Sequence, residues 1–86
     1  MGELKLAEEA FFKAVVLFQK TCGEDTPLTA DAMLEHSKIL YKLNRKEEAL
    51  TQIKKSLSLY VKFDNNSVYV PQINEIISLI IEWDKK

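Results

Sequence analysis

The 86 residues allow one small domain, and twelve basic against thirteen acidic side chains leave a net charge of −1. That balance argues against a nucleic-acid binder, which shows a basic excess. At 47% hydrophobic and 29% charged the composition is ordinary for a soluble globular chain, although one this short buries only about 60–65% of its unfolded surface and depends on tight helix packing or on neighbours.

Apolar residues recur at helical spacing in four blocks. In the first, predicted over 3–22, Leu4, Ala7, Phe11, Ala14, Val15, Phe18 and Cys22 form a stripe that Leu6, Ala10 and Leu17 widen. A stripe this wide predicts more than one neighbour, or a face meant for a missing one. The apolar run "AFFKAVVLF" is no secretory signal, because Lys13 splits it and Glu8 and Glu9 stand where basic residues belong. Leu6 also stands where a myristoylation signal needs Ser or Thr. Gly23 is expected to end this helix in a left-handed conformation.

The second block starts at Pro27, which suits a first helical turn, with Thr26 as the expected N-cap and Thr29 as second choice. Ala30, Met33, Ser37, Leu40 and Leu43 share a face, and the helix should fail near Asn44, a residue that tolerates the left-handed region. The third block runs from Lys46 to Phe63 with Ala49, Leu50, Ile53, Leu57 and Tyr60 as its stripe, and Glu47 and Glu48 complement its dipole. "DNNS", Asp64 to Ser67, is a cluster of turn formers. The fourth block is predicted over 70–84, with Pro71 near its start and Ile73, Ile76, Ile77, Ile80 and Trp83 as its apolar residues. "YVPQINEIISLII" also reads as a strand, but it has no second strand to pair with, so helix is favoured. Short connections imply antiparallel neighbours. The expected fold class is all-α, a single domain over 1–86 built as four antiparallel helices.

The stretch "MLEHSKILYKLNRKEEALTQIKKSL" alternates small and large residues as helical hairpin repeats do. It resembles one unit of the tetratricopeptide repeat family. Met33 fits the first large position, Ser37 the small one, Leu40 with Tyr41 the aromatic position, and "NRKEEA" the turn into Ala49. Ile53 and Ser56 follow at the next bulky and small positions. His36 stands where the family usually has Leu, and no proline closes the unit. Ala7, Phe11 and Ala14 repeat Ala49, Ile53 and Ser56 at an offset of 42 residues, longer than the usual period of about 34. Similar long repeats, with "G-x-D-x-P" in the loop, occur in kinesin light chain-like arrays, and "GEDTPLTADAM" looks like that loop. "DNNSVYVPQIN" would be its degraded copy. The resemblance implies a short solenoid of half a repeat (3–22), one full repeat (28–63) and the first helix of a third (70–84). Glu75, Glu82, Asp84, Lys85 and Lys86 would lend a polar cap to the last helix. A weaker resemblance joins "QIKKSLSLYVKFDNNSVYVPQINEIISLI" to the C-terminal helices of SET and MYND domain lysine methyltransferases, without their catalytic or zinc-binding parts.

Candidate chemistry is sparse. His36, the one histidine, has no convincing nucleophile nearby and is read as a packed residue at a core-type position. Cys22 lies at a helix C-terminus, where the dipole disfavours a thiolate, and is read as core. One Cys and one His fourteen residues apart are a poor start for a metal site, and "DNNS" lacks the calcium-loop pattern. "GEDTP" has one glycine and an acidic pair, so it is no phosphate cradle. "IISLII" is far short of the roughly 20 residues of a membrane span. Asn65-Asn66-Ser67 matches the glycosylation pattern by chance in this reading. The lone cysteine fits a reducing, cytoplasmic setting. The expectation is a non-enzymatic chain with no catalytic residue, metal or cofactor.

That leaves binding surfaces. The resemblance implies a concave groove lined by the first helix of each repeat, here by Asp31, Leu34, Glu35, Lys38, Tyr41 and Lys42. Lys38 and Lys42 are one turn apart and could meet an acidic peptide, with Tyr41 and Leu34 giving apolar contact. The competing reading is a solvated face with a Glu35–Lys38 pair. Leu34 and Lys38 occupy two positions where the family's carboxylate clamp needs Lys and Asn, so that specialised role is not expected. Among the late aromatics Tyr60, Phe63, Tyr69 and Trp83, core positions are expected, with exposed docking as the alternative for Trp83. The expected partner is a protein or peptide, with neither nucleic acid nor membrane. Self-association through the first or last helix is a further option. The alternative function is a terminal structural fragment of a larger array, or of a SET and MYND methyltransferase.

Overall fold

The computed structural model describes residues 2–21, 23 and 26–85. The readings of Cys22, of the acidic pair Glu24 and Asp25, and of Lys86 lie outside the described residues. Four helices make up the fold, with no strand among the described residues: α1 (Gly2–Thr21), α2 (Pro27–Lys42), α3 (Lys46–Phe63) and α4 (Val70–Asp84). The β-branched fourth block is therefore helical.

Local chemistry explains the helix ends. Gly23 has φ +98, and its carbonyl oxygen accepts from Thr29 Oγ1 at 3.2 Å. Thr26 caps α2: its backbone is extended and its Oγ1 accepts the Thr29 amide at 3.2 Å, satisfying one of the free first-turn donors. Asn44, at φ 63, closes the other end. The Asn44 amide donates to the Tyr41 carbonyl and the Arg45 amide to the Leu40 carbonyl, the paired bonds of a Schellman motif. The α3–α4 loop also uses left-handed residues, Asn66 (φ 58) and Ser67 (φ 62). Asp64 Oδ1 accepts the Tyr69 amide across this loop at 2.8 Å.

Side-chain bonds fix how α2 and α3 meet. Ser56 Oγ donates to the Ala30 carbonyl at 2.8 Å, and Gln52 Nε2 to His36 Nδ1 at 3.1 Å. As residue numbers rise along α2 they fall along α3, so the two helices run antiparallel. Ala30, Ser37, Ala49, Ile53 and Ser56 are all fully buried at this seam. Small side chains let the backbones approach, and Ile53 fills the space between. The two buried hydroxyls cost nothing in lost hydrogen bonds, because Ser37 Oγ donates to the Leu34 carbonyl at 2.7 Å just as Ser56 reaches Ala30. Removing Ile53 from water contributes about 1.5–3 kcal/mol.

The outer helices are less deeply engaged. α1 packs on α2 through buried Val15 and half-buried Ala14 and Phe18. Ala7 and Phe11 are only half-buried, whereas Ala49 and Ile53, their counterparts by spacing, are fully buried, because α3 has helices on two sides. α4 packs on α3 and sends Ile76 and Trp83 into the core.

Candidate functional site

The α2–α4 face carries the residues expected to line a groove. Lys38 Nζ donates to Glu75 Oε2 at 3.1 Å and to Glu35 Oε2 at 3.3 Å. Tyr41 stacks on Trp83 with ring centroids 4.5 Å apart and planes 8° apart. Lys38 thus meets Glu75 and, further along both helices, Tyr41 meets Trp83, so long side chains join α2 to α4 at two points that follow in the same chain sense. Burial works against the Lys38 charge, but its bonds to Glu75 and Glu35 hold the ammonium above its ordinary pKa.

Two expectations for this face need correction. Leu34 is 4% exposed and belongs to the core, so it offers no apolar contact to a ligand. Trp83 is 3% exposed, because Tyr41 covers its ring; the exposed-docking alternative gives way to the core position. Asp31 accepts the hydroxyl hydrogen of Tyr60, which reaches it from the core. Burial first, and then the Asp31 carboxylate, push the Tyr60 phenol far above its usual pKa. Tyr41 is half-buried and Lys42 exposed. The Glu35–Lys38 pair of the competing reading is present, extended by Glu75.

A second site lies between α1, α2 and the start of α3. Here a cleft of about 580 Å³ is bordered by Phe12, Leu40, Thr51 and several charged groups. At its floor His36, 5% exposed, is bonded on both ring nitrogens. Gln52 donates to Nδ1, which leaves Nε2 to donate to Glu8 Oε2 at 2.8 Å. The Phe12 ring leans on the imidazole with centroids 6.0 Å apart. Arg45 Nη1 lies 3.3 Å from Glu8 Oε1, and its Nε bonds Glu48. The His36 hydrogen bond, opposed by burial and aided by Arg45, holds the Glu8 carboxyl below its ordinary pKa. This chain of groups ties three helices together. Histidine at a core position was legible in the sequence; its partners Glu8 and Gln52, 28 and 16 residues away, were not. No local signal links them.

No known family model, curated protein or solved structure matches the chain. Among the described residues no three His, Cys, Asp or Glu side chains converge to hold a metal ion, and no helix is long and apolar enough to cross a membrane.

Proposed function

We propose that the chain is a non-enzymatic protein-interaction module of tetratricopeptide-like helical hairpins, working in the cytoplasm. Its binding face is the one shared by α2 and α4. The observation that carries this reading is the pair of side-chain contacts that join those helices, Lys38–Glu75 and Tyr41–Trp83. A face of this kind presents rigid side chains to an extended or helical peptide. The small-and-large register of Ala30, Ser37, Ala49, Ile53 and Ser56 supports the hairpin-repeat assignment.

The charge on this face supports a different partner chemistry from the acidic one expected. Lys38, Glu35 and Glu75 are paired with one another, and with Asp31 and Lys42 the face carries three acids to two bases. The geometry therefore favours a peptide with basic residues beside apolar ones over an acidic one. Binding assays with matched lysine-rich and glutamate-rich amphipathic peptides test this, read by Trp83 fluorescence and by calorimetry. The lysine-rich peptide should bind at least about tenfold more tightly at low salt, and Glu35→Lys with Glu75→Lys should reverse the order. Tighter glutamate-rich binding would restore the acidic-partner reading, and no binding by either would remove the α2–α4 face as a peptide site.

A second reading is favoured by α1, which exposes Leu6 at 67% and Leu17 at 56%. In it the chain is a terminal structural part of a larger helical array, or of a SET and MYND domain methyltransferase, that covers this flank. Mass measurement of the natural gene product separates it from the first.

A further inference from the structure

We propose that the chain associates head to tail with second copies of itself, α1 of one molecule packing antiparallel on α4 of the next. The exposed apolar flanks at the two ends of the molecule fit each other. On α1 the exposed residues Leu6, Ala10 and Leu17 are spaced by four and then seven. On α4 the exposed residues Val70, Ile77 and Ile81 are spaced by seven and then four. Both spacings keep a residue on one flank of a helix with 3.6 residues per turn. Set antiparallel, the two rows coincide: Leu6 meets Ile81, Ala10 meets Ile77, and Leu17 meets Val70.

The central Ile77 faces Ala10, the small-against-large relation that closes the α2–α3 seam. At one end of the contact Glu3 meets Asp84 with Lys85 beside it, and in the middle of the contact Lys13, in the row between Ala10 and Leu17, meets Asn74, whose amide oxygen can accept from the ammonium. Glu75 and Glu82, expected to cap the last helix, are displaced by about a third of a turn or more from the Val70–Ile77–Ile81 row, in which Asn74 is the one polar residue.

Such a contact uses different patches on the two partners, so it adds copies in series and closes only if the rotation allows a ring. One helix pair falls at the low end of stable interfaces, which bury about 1,200–2,000 Å², so association rises with concentration. None of the residues of the α2–α4 face takes part, and peptide binding there stands or falls separately.

The test uses the full chain. Sedimentation velocity over a hundredfold range of concentration should show species growing beyond the dimer, and Ala10→Glu or Ile77→Glu should return the protein to monomer with its circular dichroism unchanged. In a Cys22→Ser background, a Leu6→Cys chain mixed with an Ile81→Cys chain should give the mixed disulfide in several-fold excess over either homodimer. All four substituted positions of the interface are exposed in the single chain, so loss of folding does not explain a negative result. A monomer at every concentration, or homodimeric disulfides in excess, would overturn the proposal.

Discussion

The Tyr41 and Trp83 rings lie almost parallel, 4.5 Å apart, and join the end of α2 to the end of α4 across 42 residues of sequence. Offset or stacked aromatic pairs contribute about 0.5–1.5 kcal/mol beyond the area that they bury. The contact also explains why Trp83 is buried although it stands in the last turn of the final helix.

Trp83→Ala should therefore destabilise the protein by about 3–5 kcal/mol, a large part of the stability of a domain this small. Trp83→Phe should retain much of it. Urea unfolding followed by circular dichroism, which does not depend on the tryptophan, measures both. A loss below about 1 kcal/mol for Trp83→Ala would show that the ring is not anchored as described.

Tyr60 predicts a response to alkali. Its phenol is protonated in the folded protein where an unfolded tyrosine, with its usual value of 10.0, ionises. The stability from this group is complete below that value and is lost as pH rises above it, since only the unfolded chain then releases the proton. Unfolding free energies of the wild type should fall between about pH 10 and 12, and Tyr60→Phe should flatten that fall. At pH 7 the same substitution should cost about 1–2 kcal/mol through the lost bond to Asp31.

Glu8 predicts the opposite limb. Its carboxyl is held below its ordinary value of 4.5, so its contribution is present above that value and is lost as pH falls through the lowered folded value. Glu8→Gln should cost about 1–2 kcal/mol at pH 7, and the difference from wild type should shrink as pH falls below the ordinary carboxyl value and through the lowered folded one. Urea denaturation at a series of pH values gives the comparison. A gap that stays constant with pH would separate Glu8 from the His36 and Arg45 contacts.

Asn44 predicts a backbone effect with no change in packing. It sits at φ 63 in the α2 cap, where glycine carries no steric cost. Asn44→Gly should be neutral or slightly stabilising, whereas Asn44→Val should cost about 1–2 kcal/mol. Thermal unfolding of the two variants should separate by several degrees.

The helix ends were legible because their causes are local. Thr26 precedes Pro27, Asn44 follows the last apolar residue of its stripe, and Asp64 to Ser67 cluster turn formers; each acts on backbone within a few residues. The seam of Ala30, Ser37, Ala49, Ile53 and Ser56 was legible too, because small and large side chains recur at fixed spacing. Leu34 was misplaced for the same reason that the stripes were readable. Periodicity shows which sectors of a helix are apolar, but α2 has neighbours on several sides and buries more of its surface than one stripe.

The sequence alone thus carried the number, type and limits of the helices and the close approach of α2 to α3, since capping, propensity and residue size act over one or two turns. Only the tertiary structure decided that Glu8 and Gln52 bracket His36, that Glu75 takes Lys38, and that Tyr41 covers Trp83. These partners are 16 to 42 residues apart, and their meeting depends on how whole helices are placed against one another. The same placement left the flanks of α1 and α4 uncovered, each apolar in its own sequence but exposed only because no helix of this chain lies beside it.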